Sequence, residues 1–293
     1  MNQTLWIDCI ASSSQGNCYL IKDGITSLLI EAGIPIKEIQ QGCQFGLSGV
    51  EGVLLSHEHS DHSLAIKRLI NQYGIDCYTS KETAQNLGLK GFRVKTIDPN
   101  QQFKVGSFQA KAFDLPHINS DGTECKNYGY LLYSTITKAR LLFATDCMYI
   151  PNRFPPCEYY MIECNYCGET PEDVNTAVEQ RRWKSHMSLK TAADFFESQN
   201  LSKCKAIYCL HLSENRSDTK EIEKELSSLT NKVVIIAGSE ISYCTNYECP
   251  FKDCMYHLTP DLKGKKVWVK DRYRGCRQYI SFLVERSKNE KNH

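Results

Sequence analysis

The chain has 293 residues, 35 Lys and Arg against 34 Asp and Glu for a net charge of +1, and 41% hydrophobic residues. That suits one large domain with an appendage and a sizeable buried core, and bulk charge singles out no class of partner. No window is apolar for long enough to cross a bilayer, and Met1 to Asp8 lack the basic and apolar regions of a signal peptide, so a cytoplasmic protein with no membrane partner is expected.

Strands are predicted over 5–11, 18–21 and 26–31. The first two are joined by the turn Ser12-Ser13-Ser14-Gln15-Gly16-Asn17, and the third ends in Glu31-Ala32-Gly33. The serine loop reads equally well as a plain hairpin turn or as a lining of the substrate site. The apolar run 52–56 is a buried strand and the amphipathic run 63–73 a helix. Strand 76–79, a short helix over 81–87, and strands 92–97, 102–105 and 107–115 follow. Segments 127–134 and 140–145 form a hairpin pair. Strand 159–165 leads into a helical zone, 171–200, in which Ser188 caps a helix starting at Leu189. Strands 205–210 and 232–237 flank a charged helix, 219–229. The fifteen cysteines, an odd number scattered through strand-like runs, read as buried thiols of a reducing cytosol.

Between strand 52–56 and its helix lies His57-Glu58-His59-Ser60-Asp61-His62, four potential metal ligands in six residues. Residues i and i+2 of an extended turn, His57 and His59, can reach one ion. Asp61 and His62, one turn later at the helix mouth, can reach a second. Imidazole and carboxylate are the donors that a catalytic zinc or manganese pair takes. A binuclear site needs further ligands from strand ends, and His117, Asp146 and His211 each follow an apolar run.

The order H-x-H-x-D-H resembles the signature of the metallo-β-lactamase superfamily. With its flanks, Leu54 to His62 is similar to the branch containing the YycJ/WalJ-type bacterial exonucleases, with the ribonuclease Z-type enzymes more distant. The serine loop ending Gly16-Asn17, the Glu31-Ala32-Gly33 turn (that branch has Asp first) and His211-Leu212-Ser213 with Asn215 and Ser217-Asp218 extend the resemblance over residues 1–237. It implies an α/β fold, the αββα sandwich. It implies two divalent ions, Zn or Mn: His57, His59 and His117 on one, Asp61, His62 and His211 on the other, Asp146 bridging. The branch often has His-Asp at the third motif, whereas this chain has His117-Ile118 followed by an insertion-like stretch, 119–126.

Glu163 ends a strand, and His186 opens a run similar to the histidine motif of the nuclease branches. There a histidine steadied by an acid protonates the leaving alkoxide, which a phosphodiester needs because its leaving group is poor. Asp61, His186 and Glu163 are therefore the expected catalytic set. The implied activity is a metal-dependent phosphodiesterase, most readily a nuclease acting on DNA, by attack of a metal-bridging hydroxide. Rivals are a small-molecule hydrolase of cyclic nucleotides or other phosphodiesters, and a repair adaptor that binds nucleic acid without cutting.

Residues 238–293 change character. From 244 onward, eleven Lys and Arg face six Asp and Glu, a net of +5 that leaves −4 on the remainder. Cys244, Cys249, Cys254 and His257 could close a third, structural zinc in a knuckle. The basic, aromatic tail could hold a nucleic acid backbone and stack bases, or serve as a homodimer or partner-docking surface.

Overall fold

The computed structural model describes residues 4–119, 121–168 and 185–238. The tail cluster Cys244, Cys249, Cys254 and His257 lies outside these residues, as does 171–184 of the helical zone. Six strands form one sheet in the order β1-β2-β3-β4-β5-β6. They are β1 (Trp6–Ser13), β2 (Gly16–Lys22), β3 (Ser27–Ile30), β4 (Val50–Leu54), β5 (Asp76–Thr79) and β6 (Val94–Thr96). Seven form a second sheet in the order β13-β12-β11-β10-β9-β8-β7. They are β7 (Gln102–Val105), β8 (Phe108–Ile118), β9 (Glu124–Ser134), β10 (Arg140–Ala144), β11 (Tyr159–Glu163), β12 (Ala206–Leu210) and β13 (Val233–Ile236). The α-helices among the described residues are α1 (Ile36–Gly42), α2 (Ser60–Ser63), α3 (Ile66–Tyr73), α4 (Lys81–Asn86), α5 (Leu189–Ser198) and α6 (Thr219–Thr230).

The strands are buried on both faces where helices cover the outer side. β11 and β12 are buried at every position, so their sequences are continuous apolar runs apart from Glu163 at the end of β11. One outer layer packs Ile36, Ile39, Ile66 and Leu69 of α1 and α3 on Leu20, Leu29 and Val53 of the first sheet. The other packs Phe195, Phe196, Ile222 and Leu226 of α5 and α6 on Leu142, Ile162 and Ile207 of the second. Between the sheets, Tyr19 meets Phe143 edge to face at 5.6 Å, and the Tyr130 hydroxyl donates to the Leu55 carbonyl at 2.7 Å. This is the αββα sandwich.

Three departures from the sequence reading have local causes. The helix expected over 63–73 is broken at Leu64 and Ala65, because the Ala65 amide donates to the Ala32 carbonyl at 2.8 Å, outside the helix. α1 gives little sequence signal: Pro35 stands at its N-cap and only Ile36 and Ile39 are buried. The strand expected to stop at Leu115 runs on through Pro116 to Ile118, paired with β9 down to Ile118 opposite Glu124. A proline lacks a ladder donor and so reads as a strand end. The insertion-like stretch is thus the tip of a long hairpin. The serine loop is a tight hairpin too, with Ser13 opposite Gly16.

Candidate metal centre

The residues of the expected site converge on one end of the sandwich. The first sheet delivers its ligands in one block: β4 ends, and the loop enters α2 with His57, His59, Asp61 and His62 in sequence. The second sheet delivers single residues from neighbouring strand ends. In the parallel register of β10, β11 and β12, Ala144 sits beside Ile162 and Ile162 beside Cys209, so Asp146, Glu163 and His211 emerge next to one another. His117 is the penultimate residue of β8. Glu31, Asp146 and His211 all take left-handed backbone angles, φ 64°, 50° and 53°. Each such turn costs about 1–3 kcal/mol for a residue with a side chain, and strain of this kind collects at functional sites. The block is seated on the turn after β3. Ala32 donates to the His62 carbonyl at 2.7 Å, and a Cβ on Gly33 would lie 1.6 Å from the Asp61 carbonyl oxygen.

Among the described residues, three groups bring their donor atoms within 4.8 Å of one another inside the group: His57, His59 and His117; Asp61, His62, Asp146 and His211; and Asp146, Glu163, His186 and His211. In the first, His59 Nδ1 and His117 Nε2 are 3.3 Å apart. In the second, His62 Nε2 is 3.2 Å from both Asp61 Oδ2 and Asp146 Oδ1, and His211 Nε2 is 3.3 Å and 3.6 Å from the same atoms. Metal–ligand bonds of about 2.0–2.2 Å in a tetrahedron put neighbouring donors about 3.3–3.6 Å apart, so both groups have the edges of a coordination shell. His57 Nε2 is buried without a hydrogen-bond partner, while Ser56 Oγ lies 2.8 Å from its Nδ1. These donors fit divalent ions. The third group differs: Glu163 Oε1 and His186 Nδ1 are 2.6 Å apart, a direct hydrogen bond and too short for a shared ligand edge.

The two groups sit in different fields. Burial, with the neighbouring imidazoles, holds His57 well below its usual range and takes His117 down to about 4, so both are neutral. Burial acts the same way on His62 and His211, but Asp146, Asp61 and the acids behind them outweigh it; His62 is pushed well up and His211 to about 10. Burial raises Asp146 and Asp61, yet the facing imidazoles drive both far below the usual carboxylate range. Glu163 likewise ends below its ordinary value, burial being outweighed by His186 and His211. Its second oxygen accepts from the Cys147 amide at 2.8 Å and the Met187 amide at 3.2 Å.

A cleft of about 520 Å³ opens over the site, lined by His59, Asp61, His117, Asp146, His186 and His211, with Ser14, Tyr166, Ser213 and Arg216 at its walls. The serine loop is therefore a hairpin turn and a wall of the cleft at once.

Comparison with known proteins decides the family. The model of the β-lactamase superfamily domain matches residues 29–207, more than half the chain. The chain belongs to the metallo-β-lactamase superfamily. It is similar to exodeoxyribonuclease WalJ of Streptococcus pneumoniae, 25% identical over 233 residues that cover 75% of this chain and 84% of that protein. Exodeoxyribonuclease YycJ of Bacillus anthracis is 25% identical over 153 residues, 51% of this chain and 57% of that one. The structure resembles the metallo-β-lactamase fold protein YhfI from Bacillus subtilis with a TM-score of 0.62 at 18% identity, covering 80% of this chain and 97% of that one. Superfamily membership, with these donor groups, makes the protein a metal-dependent hydrolase. Among the described residues, no helix is long and apolar enough to cross a membrane.

The superfamily motif does not reveal the residues that hold its histidines in place. Glu31 is fully buried with Oε2 3.5 Å from His62 Nδ1, and Glu163 Oε1 lies 3.3 Å from His211 Nδ1. Asn165 donates to the His211 carbonyl at 2.7 Å, its Nδ2 also lying 3.1 Å from His211 Nδ1. Asn119 Oδ1 is 2.9 Å from His59 Nε2, and the Ser185 carbonyl 3.3 Å from His117 Nδ1. For Glu31 the available signal was its place where the related branch carries Asp, at the end of a buried strand. For Asn119 there was none, since it fell in the stretch that read as an insertion.

Proposed function

We propose that residues 1–237 form a phosphodiesterase domain acting on nucleic acid, DNA in the first instance, with His186 as general acid and Glu163 steadying it. The observation that carries this reading is the 2.6 Å hydrogen bond from His186 Nδ1 to Glu163 Oε1 at the wall of the cleft. Glu163 is fully buried, its charge held by two backbone amides, while the His186 side chain keeps 19% exposure. Such an acid anchors one ring nitrogen and leaves the other to serve a leaving oxygen, the proton a phosphodiester needs and an activated ester does not. Two divalent ions, zinc or manganese, held by His57, His59 and His117 and by Asp61, His62, Asp146 and His211, would supply activated water and charge stabilisation. The names of the streptococcal and Bacillus anthracis relatives support DNA as substrate. The thiol-rich composition supports a cytoplasmic setting. The basic tail would add affinity for the nucleic acid backbone.

The test is His186→Ala. Both core ions should stay bound while the turnover number on DNA falls by roughly 10²–10⁴-fold, the range for a lost general acid. The defect should shrink on a nitrophenyl phosphodiester, whose leaving group departs unprotonated. Equal slowing of both substrates would remove the general acid. Turnover of cyclic nucleotides with no cleavage of any polynucleotide would transfer the reading to a small-molecule hydrolase.

A further inference from the structure

The two donor groups differ in what stands behind their histidines. In the group of three, every supporting acceptor is uncharged: the Ser56 hydroxyl for His57 at 2.8 Å, the Asn119 amide oxygen for His59 at 2.9 Å and the Ser185 carbonyl for His117 at 3.3 Å. In the other group carboxylates are among the supports, Glu31 behind His62 at 3.5 Å and Glu163 behind His211 at 3.3 Å beside the Asn165 amide nitrogen at 3.1 Å, and Asp61 and Asp146 stand among the donors themselves. A carboxylate on the far nitrogen raises the basicity of a ligating imidazole, and such outer partners typically change metal affinity 10–100-fold. A negative donor attracts a dication more strongly than a neutral one, most of all where water is excluded.

We propose that the two halves of the centre hold their ions with unequal strength, tightly at Asp61, His62, Asp146 and His211 and loosely at His57, His59 and His117, and that Asn119 is the positioning residue that sets the loose half. The Asn119 side chain is fixed from both sides. Its amide nitrogen donates to Thr123 Oγ1 at 3.0 Å and to the Glu124 carbonyl at 3.5 Å, which leaves Oδ1 aimed at the imidazole. With its Nε2–H donated to that oxygen, His59 presents Nδ1 to the ion, the atom that faces His117 Nε2 at 3.3 Å. Through Asn119 the hairpin tip of β8 and β9 therefore reaches the loose half, and an uncharged amide keeps that half exchangeable. The inference rests on the two-metal assignment and not on the identity of the substrate, so the two fail separately.

The test is titration of the metal-free full chain with Co²⁺, read by ligand-field absorption and by bound metal after dialysis. Ions on cysteine thiolates are set apart by their charge-transfer bands. Two core steps differing at least tenfold in dissociation constant are expected. Asn119→Asp should tighten the weaker step by about 10–100-fold and Asn119→Ala should loosen it, with the stronger step unmoved. Glu31→Gln should weaken the stronger step alone. Asn119 lies partly exposed in a hairpin tip, so neither of its variants threatens folding. Two equal core steps, or Asn119 variants that move both steps together, would overturn the proposal.

Discussion

The sandwich buries carboxylates at both of its ends and treats them in opposite ways. At the end away from the cleft, Asp23, 1% exposed in the turn between β2 and β3, is saturated. It accepts from Ser107 Oγ at 2.6 Å, Ser134 Oγ at 2.7 Å, the Thr26 amide at 2.9 Å and the Ile25 amide at 3.1 Å. Ser107 and Ser134 belong to the second sheet's side, so one carboxylate ties the layers together. At the cleft end the acids face imidazoles, and the shell is left incomplete: His57 Nε2 is buried without a hydrogen-bond partner, and Glu31 Oε2 meets His62 Nδ1 only at the ion-pair distance of 3.5 Å. A buried charge serving only the fold takes every donor it can hold, whereas one serving chemistry leaves room for an ion.

The contrast breaks most sharply at Asp61. Removing even an outer partner of a metal ligand costs 10–100-fold, so Asp61→Ala should lower activity and metal affinity by more than about a hundredfold. Its urea midpoint, compared with the wild type in metal-free buffer, should hardly move. A variant that unfolds without losing metal would make Asp61 a structural acid like Asp23. The converse change is Asp23→Ala, which strands Ser107 and Ser134 and should cost about 2–4 kcal/mol in equilibrium denaturation while leaving turnover per folded molecule intact. A fall in turnover with unchanged stability would couple the two ends.

The smallest effect concerns acid. Burial works to raise the Asp23 carboxyl, but its hydrogen bonds from Ser107, Thr26, Ser134 and Ile25 prevail and leave it below its ordinary value. A folded-state pKa below the unfolded value of about 3.9 means that the contribution is full above that pH and is lost as pH falls through the folded value. The stability gap between wild type and Asp23→Asn should therefore stay constant from pH 6 to just above the unfolded value of about 3.9 and narrow only below it. A gap that stays constant below it as well would mean that the tie does not depend on charge.

The same contrast decides what the sequence reveals. His57 to His62 stand out because four ligand types crowd one strand-end loop, and Asp146 and His211 because each follows an unbroken apolar run. Asp23 is silent: its partners Ser107 and Ser134 are 84 and 111 residues away, and an aspartate beside Gly24 looks like any turn residue. Glu31 was visible as an unusual acid, but its role depends on the φ of 64° that swings it behind His62. Glu163 and His186 were paired by resemblance to the nuclease branches and not by spacing, and the structure brings His186 Nδ1 within 2.6 Å of Glu163 Oε1. Spacing along a chain exposes contacts made within one loop, and contacts made across strands stay hidden until the sheet order is known.

The seat under the metal-binding block bears on how such a centre could be transplanted. Gly33 donates to the Asn17 carbonyl at 2.8 Å, Ala32 grips His62, and Ala65 returns to Ala32, so the β3 turn and the block form one interlocked piece. Any side chain at 33 would be a wedge driven into the Asp61 backbone. An engineer grafting the six-residue signature onto another scaffold would move the ligands without their mould. The smallest portable module runs from Glu31 to Ala65 and needs a neighbouring strand to offer the carbonyl that Asn17 supplies.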